Sequence, residues 1–212
     1  MPQPSNSPVS IAILAKAPIA GLAKTRLIPT IGAHAAAVLQ ERLTERAVTT
    51  ALAANVGPVT LWCAPDSTHS TFLQLVTRLR ITLKPQPQGD LGARMFAATA
   101  ANNGPVLVIG TDCPALTDVH LRGAANALRE GIDVILIPAE DGGYVLIGTR
   151  TAQPALFANI AWGTKTVLAE TRARIIAQRL ILAERPPLWD VDTETDLARL
   201  EREFPELGFA NK

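Results

Sequence analysis

The sequence has few of the features that mark secreted, membrane-spanning or nucleic-acid-binding proteins. Its 212 residues include only two cysteines, Cys63 and Cys113, in separate contexts that suit neither a disulfide framework nor a zinc-ligand pair. No run approaches the roughly 18 apolar residues of a membrane span. The 20 Lys and Arg nearly cancel the 19 Asp and Glu, which argues against a nucleic-acid partner. We therefore expect a cytoplasmic protein without a membrane span.

The amino terminus lacks the basic region of a secretion signal. Residues 1–8, rich in Pro and Ser, are expected to form a short disordered tail. The remainder, 9–212, has the length of one large domain or two small ones, and one core is the simpler interpretation. Hydrophobic residues make up 48% of the chain, which is ample material for a core of that size.

Short apolar runs alternate with longer segments of helical periodicity, which predicts an α/β fold with a largely parallel sheet. Only five residues separate the runs 133–138 and 144–149. That connection is too short for a crossover helix, so the sheet should be mixed. Seven runs are predicted as strands: 9–15, 59–63, 81–83, 106–110, 133–138, 144–149 and 180–183. Helices are predicted at 33–54, around 72–79, at 91–101, 117–129 and 164–179, and from 194.

Ligands of open α/β sheets bind outside the carboxyl ends of the strands, so the loops after the predicted strands are the candidate sites. The first such loop, 16–27, carries Lys16, Lys24 and Arg26. It lacks the glycines of a Walker A loop, and no strand is followed by a dinucleotide fingerprint. A side-chain clamp on an anion remains, with Lys24 as a point charge and Arg26 as a planar fork. The alternative is a solvated basic loop.

Two further loops carry acidic residues. In Gly110-Thr-Asp-Cys-Pro114, Asp112 follows the most apolar strand and suits a hard divalent cation such as Mg²⁺ or Mn²⁺; the alternative is a turn cap. In the segment 141–144, Gly142 and Gly143 would let the backbone approach a ligand beside Asp141, although a hairpin turn explains the glycines equally well.

A fourth loop, 189–193, carries two carboxylates after the last strand. From strand alternation we expect only one of them to face the cleft. Asp192 is the better candidate for a metal ligand, with Asp190 in reserve. The following Thr193 and Asp196 have the spacing of a capping box and predict the start of a helix.

These motifs together resemble the nucleotide-diphospho-sugar transferase superfamily of GT-A fold. The resemblance is nearest to a bacterial glycosyltransferase-like family, some members of which are linked to arsenosugar biosynthesis. It implies a three-layer α/β/α sandwich around a mostly parallel mixed sheet of about seven strands. The matching segments, in order, are 15–18 with 21–27, 88–94, 110–114, 141–144, 162–164 and 190–193.

The resemblance also implies a role for each matched residue. A divalent metal, Mg²⁺ or Mn²⁺, would bind Asp112 and Asp192, and the catalytic pair would be Asp112 and Asp141, with Asp141 as the base. The residues implied for binding the nucleotide and its phosphates are Lys16, Lys24, Arg26, Gln88, Asp90, Gly92 and Arg94. Those implied for the acceptor side are Gly142, Gly143, Tyr144 and Trp162, the last of which could instead be a packing anchor.

The expected function is metal-dependent transfer of a glycosyl group from a nucleotide-diphospho-sugar to a small-molecule acceptor. One alternative is nucleotidyl transfer from a nucleoside triphosphate with release of pyrophosphate. Enzymes of that kind open with a Gly-rich loop, whereas this chain has Lys-Ala-Pro-Ile-Ala-Gly at 16–21. The other alternative is a protein that only binds ligand on a degenerate transferase fold. The sequence leaves the donor, the acceptor and the oligomeric state open.

Overall fold

The protein is built on one seven-stranded mixed sheet. A computed structural model describes residues 7–209, so most of the predicted tail, residues 1–6, lies outside the described residues. The strand order across the sheet is β3-β2-β1-β4-β6-β5-β7. All neighbouring pairs are parallel except those of β6, which runs antiparallel to β4 and β5, as predicted. The strands are β1 Ser10–Lys16, β2 Val59–Ala64, β3 Thr82–Pro85, β4 Val106–Ile109, β5 Val134–Pro138, β6 Tyr144–Thr149 and β7 Leu182–Glu184.

Helices cover both faces of the sheet and give it three layers. They are α1 Ile28–Ala54, α2 Ser70–Arg78, α3 Leu91–Ala100, α4 Asp118–Arg129, α5 Val167–Ala177 and α6 Glu194–Glu203, with short 3₁₀ turns at Thr25–Leu27 and Pro154–Leu156. Side chains alternate along each central strand: in β4, Leu107 and Ile109 pack with α1, α2 and α4, whereas Val106 and Val108 pack with α3 and α5. Because both faces are covered, the central strands are apolar throughout.

Helix ends follow local chemistry and correct two of the predicted boundaries. Thr117 and Thr193 cap α4 and α6 through capping boxes, as their sequence context predicts. The element α1 begins at Ile28 rather than residue 33 because a first turn precedes the non-helical Gly32. The helix predicted at 164–179 is observed as the shorter α5, and Arg179, which adopts a left-handed conformation, ends it early at its carboxyl end.

The sheet topology fixes where a ligand can bind. Strand β1 has β2 on one side and β4 on the other, so the chain leaves the carboxyl end of β1 at a reversal of strand order, where open α/β sheets form their crevice. Because β6 is antiparallel, its first residue, Tyr144, lies at this same edge. Within residues 7–209, no helix combines the length and apolar character needed to cross a membrane.

Candidate active site

A cleft of about 490 Å³ lies over the carboxyl ends of β1 and β4. Most of the residues predicted for the site line it. The lining members of that set are Lys16, Lys24, Arg26, Asp112, Asp141, Gly143, Tyr144, Trp162, Asp190 and Asp192. The predicted residues that do not line it are Gln88, Asp90, Gly92, Arg94 and Gly142. The loops after β1 and β4, the β5–β6 turn and the segment before α6 thus meet at one place.

The side chain of Lys24 lies at the centre of this arrangement. Its ammonium nitrogen is 2.8 Å from Asp112 Oδ1 and 3.7 Å from Asp192 Oδ1, and it donates to the carbonyl of Val191 at 2.6 Å. The Lys24 side chain is 4% exposed, compared with 45% for Asp112 and 36% for Asp192. The two acids therefore converge on one point, as predicted, and Lys24 is directed at them rather than into the open cleft.

The segment 188–192 brings the last acid pair to the cleft. Its backbone runs beside the end of β5, where Leu188 donates to the Pro138 carbonyl, and the amide of Val191 donates to the carbonyl of Asp112 at 2.9 Å. Both Asp190 and Asp192 line the cleft. The expectation that only one would face it was wrong, because residues two apart in an extended segment share the same side.

Four carboxylates thus surround one end of the cleft. Burial, and next the charges of Asp141, Asp192 and Asp112, raise the pKa of Asp190 to about 6. Asp141 itself is exposed, and its Oδ1 accepts a hydrogen bond from the amide of Gly143 at 2.9 Å. This end of the cleft carries an excess of negative charge that Lys24 and Arg26 only partly offset.

The other basic side chains of the first loop remain accessible. Lys16 is exposed at the end of β1. The Arg26 side chain is 71% exposed, and its guanidinium donates to Asp192 Oδ2 at 3.0 Å.

Cys113 follows Asp112 on the cleft wall, where burial raises the pKa of its thiol to about 12. The thiol is protonated near neutral pH, in keeping with a packing role rather than a nucleophilic one.

The segment 88–94 has a structural role in the described part of the chain. Asp90 caps α3 by accepting from the amide of Ala93 at 2.8 Å. A Cβ at Gly92 would lie 2.3 Å from the Phe157 carbonyl oxygen and 2.6 Å from Trp162 Nε1. Gln88 is exposed. Their predicted contact with a nucleotide stays a prediction.

Gln86, which was not predicted as a site residue, connects the elements around this segment. Gln86 donates to the carbonyls of Ala15 and Trp62 at 3.0 and 2.8 Å, and its side-chain oxygen accepts from Arg94 at 3.3 Å. It thereby ties the carboxyl ends of β1 and β2 to α3. A lone glutamine after a short edge strand gave no sequence signal for this role.

The predicted acceptor side is assembled by close backbone packing. Gly142 has φ +97°, and a Cβ there would meet the Lys165 carbonyl oxygen at 2.5 Å, so a glycine is required on structural grounds. The amide of Leu168 donates to the Gly142 carbonyl at 3.0 Å. Tyr144 and Trp162 are half-buried on the cleft wall, and burial raises the pKa of the Tyr144 hydroxyl. The turn 141–143 is therefore anchored to the first turn of α5 and packed against the residue Lys165 that precedes it.

The donor set at Asp112 and Asp192 fits a divalent cation that shares its coordination with substrate. Mg²⁺ and similar ions take oxygen ligands and commonly use one or two carboxylates together with phosphates and water. Carboxylate oxygens of both residues already reach a single positively charged nitrogen. Within residues 7–209, no cluster of three or more His, Cys, Asp or Glu side chains has metal-binding geometry. A protein-only cage is thus absent from the described part, and water or phosphate oxygens would complete the coordination.

The fold and the acidic cleft together define an α/β protein of the nucleotide-diphospho-sugar transferase type. The chain belongs to the family described as "Uncharacterized protein conserved in bacteria (DUF2064)", whose sequence model matches residues 47–164. The matched range contains the motifs around Asp112, Asp141 and Trp162. Curated protein sequences gave no match.

Solved structures support the same fold. A protein of Desulfovibrio desulfuricans G20, described as a "putative nucleotide-diphospho-sugar transferase", has 29% identity and a TM-score of 0.83, covering 92% of this chain and 86% of its own. A nucleotidyl transferase from Methanothermobacter has 15% identity and a TM-score of 0.64, with 94% and 99% covered. Rv0371c of Mycobacterium tuberculosis H37Rv, in complex with manganese, has 16% identity and a TM-score of 0.54, with 93% and 100% covered. The predicted fold class and family are confirmed.

Proposed function

We propose that this protein transfers a glycosyl group from a nucleotide-diphospho-sugar to a small-molecule acceptor, with a divalent cation at Asp112 and Asp192. The observation that carries the proposal is the convergence of these two carboxylates on one point at the switch in strand order. The similarity to the Desulfovibrio protein supports the donor class. The manganese complex of Rv0371c supports a metal at this fold.

The residues around the cleft would bind different parts of the donor and the cation. Lys16 and Arg26 are the accessible basic side chains of the cleft and would bind phosphate oxygens of the donor. Asp112 and Asp192 would hold the cation, which supplies Lewis-acid stabilisation of the diphosphate leaving group, worth several kcal/mol. In this structure Lys24 pairs with both acids. When the cation binds to Asp112 and Asp192, the Lys24 ammonium would leave them and bind a phosphate oxygen of the donor instead.

The transfer step needs a base beside the acceptor hydroxyl. Asp141 is exposed, lines the cleft and is held in a turn anchored to the first turn of α5. The acceptor oxygen would form a bond to the anomeric carbon while the bond from that carbon to the diphosphate oxygen breaks. The acceptor proton passes to Asp141, and the nucleoside diphosphate leaves with the electron pair.

Nucleotidyl transfer is the second candidate. It is favoured by the Methanothermobacter nucleotidyl transferase, which shares the fold over 94% of this chain, and by the accessible Lys16 and Arg26, which suit a triphosphate as well as a diphosphate. The two reactions differ in their products. Glycosyl transfer releases a nucleoside diphosphate, whereas nucleotidyl transfer releases pyrophosphate.

The test combines ligand screening with product analysis. Purified protein is screened by thermal shift against UDP- and GDP-sugars and nucleoside triphosphates with Mn²⁺, because a ligand at a hundred times its Kd adds about 2.7 kcal/mol of stability. Ligands that bind are then incubated with the enzyme and candidate acceptors, and released diphosphate and pyrophosphate are measured. Release of diphosphate supports glycosyl transfer, and release of pyrophosphate replaces it with the second candidate.

Variants of two aspartates locate the site. We expect Asp112→Asn to lose Mn²⁺-dependent donor binding, measured by titration calorimetry. The matched control is Asp118→Asn, which changes a partly exposed aspartate paired with Arg122 outside the cleft and should bind the donor as the parent does. Unchanged donor affinity of Asp112→Asn in Mn²⁺ would refute the metal assignment. A protein that no nucleotide stabilises would contradict the transferase proposal as a whole.

A further inference from the structure

We infer that Gln40 is a positioning residue for Asp112 and acts through the hydroxyl of Thr111. The inference rests on the proposed function, since it takes Asp112 as a cation-binding carboxylate. Gln40 lies on α1 and Thr111 directly before Asp112, and the two residues are only 4% and 5% exposed. Polar side chains are seldom buried without hydrogen-bond partners, because losing water is costly. The hydrogen-bond partners of Gln40 and Thr111 therefore indicate the roles of these two side chains.

The amide of Gln40 has a fixed orientation. Its nitrogen lies 3.2 Å from Thr44 Oγ1 and 3.0 Å from Thr111 Oγ1. The Thr44 hydroxyl donates its only proton to the main-chain carbonyl of Gln40 at 2.7 Å, so it can only accept from the side chain. The neighbouring group must therefore be the NH₂ of Gln40, which has two hydrogens for two hydroxyl acceptors.

This orientation determines the direction of the next hydrogen bond. Because Thr111 Oγ1 accepts from Gln40, its single proton is free to point at Asp112 Oδ1, 3.1 Å away. The same oxygen lies 2.8 Å from the ammonium of Lys24. Within residues 7–209, the Asp112 carboxylate accepts its side-chain hydrogen bond on Oδ1, and Oδ2 accepts none. The Thr111 hydroxyl and the Lys24 charge thus hold Oδ1 and leave Oδ2 able to bind an incoming ligand.

A purely structural role would require only that the space be filled and the polar atoms satisfied. The positioning role depends in addition on the direction of donation. Gln40→Met keeps a similar length but donates no hydrogen bond. Without the hydrogen bond from Gln40, the Thr111 hydroxyl can rotate, and its proton is no longer directed at Asp112. Thr111→Val keeps the shape and removes the donor to Asp112, whereas Thr111→Ser keeps that donor.

The experiment measures binding of Mn²⁺ alone to the full chain by electron paramagnetic resonance. Partners of this kind contribute about 10- to 100-fold to metal affinity in proteins, so we expect Gln40→Met and Thr111→Val each to weaken Mn²⁺ binding by about 10-fold or more. Thr111→Ser should bind as the parent does. The matched control is Thr99→Val, which removes a buried hydroxyl bonded to the Phe96 carbonyl on α3 and should leave the Kd unchanged.

The outcomes separate this inference from the proposed function. Parental Mn²⁺ affinity in folded Gln40→Met and Thr111→Val, together with lost binding in Asp112→Asn, overturns the positioning role alone. Parental affinity in Asp112→Asn, or no binding by the parent protein, overturns the metal position and the inference with it. Thermal unfolding in EDTA reports whether each variant folds. If Gln40→Met does not fold, the comparison of Thr111→Val with Thr111→Ser decides.

Discussion

Lys24→Met is the most informative single change, because Lys24 stands where the proposed cation would bind. Methionine keeps the apolar stem of the lysine and removes its charge together with its hydrogen bond to the Val191 carbonyl. In the parent protein that charge contacts Asp112 and Asp192 and is almost fully buried. We therefore expect the variant to be less stable without metal and to bind Mn²⁺ more tightly than the parent.

The structure sets the size of both effects. Breaking a buried ion pair by removing one partner typically costs about 3–5 kcal/mol. Asp112 and Asp192 remain 45% and 36% exposed and regain some hydration, so about 2 kcal/mol is the better expectation. For a chain of this length, that lowers Tm by about 4–8 °C. Removing the competing charge should tighten Mn²⁺ binding by about 10-fold, which corresponds to about 1.4 kcal/mol.

Thermal unfolding with and without Mn²⁺ measures both effects in one assay. Without metal, Lys24→Met should unfold at a lower temperature than the parent, and Mn²⁺ should raise its Tm by more than it raises the parent's. Lys16→Met is the control, since Lys16 lies in the same cleft but is exposed and forms no ion pair in the described residues. The reasoning fails if Mn²⁺ stabilises Lys24→Met no more than the parent.

Two further changes test the electrostatics and the backbone of the cleft. The pKa of Asp190 is raised from 3.8 to about 6 in the folded state. Between about pH 4 and 6 this carboxyl must therefore take up a proton on folding, so the free energy of unfolding falls as the pH rises through that range. Asp190→Asn, in EDTA, should therefore be more stable than the parent at pH 7 by at most about 3 kcal/mol and equal to it near pH 4; an equal difference at both pH values would contradict this. Gly142→Ala should lose about 2 kcal/mol or more in urea unfolding, because its φ is +97° and the Lys165 carbonyl blocks a Cβ. Gly104→Ala, with open space around it, should change little, and equal losses at both positions would contradict the packing argument.

The order of elements could be predicted because it depends on local patterns. Apolar runs bounded by turn residues identified all seven strands, and the short connection at 139–143 predicted the antiparallel neighbour that β6 provides. Errors occurred at ends where a single backbone angle decides. Gly32 and Arg179 interrupt helical periodicity through their positive φ, which the pattern of hydrophobic residues does not encode.

The candidate site could be predicted only in part, because side-chain partners come from distant parts of the chain. The positions of Asp112 and Asp192 followed from the rule that strand carboxyl ends share one edge. The direction of the Lys24 side chain could not be predicted, since its partners Asp112 and Asp192 lie 88 and 168 residues further along the sequence. The role of Gln40 was equally hidden. A polar residue on the buried face of a helix could have raised the question, but the sequence does not show which hydroxyl it meets.

The conformation of residue 24 and the acid pair depend on each other. Lys24 has φ +46° and ψ +46°, a left-handed backbone that costs a residue with a side chain roughly 1–2 kcal/mol. The hydrogen bond to Val191 and the contacts with Asp112 and Asp192 offset that cost, because this backbone places the ammonium within reach of all three. A cation bound by the two carboxylates would remove the contacts that hold the lysine there. In the proposed mechanism, the same arrangement would order the first loop before substrate arrives and would free a positive charge for the phosphates once metal and donor have bound.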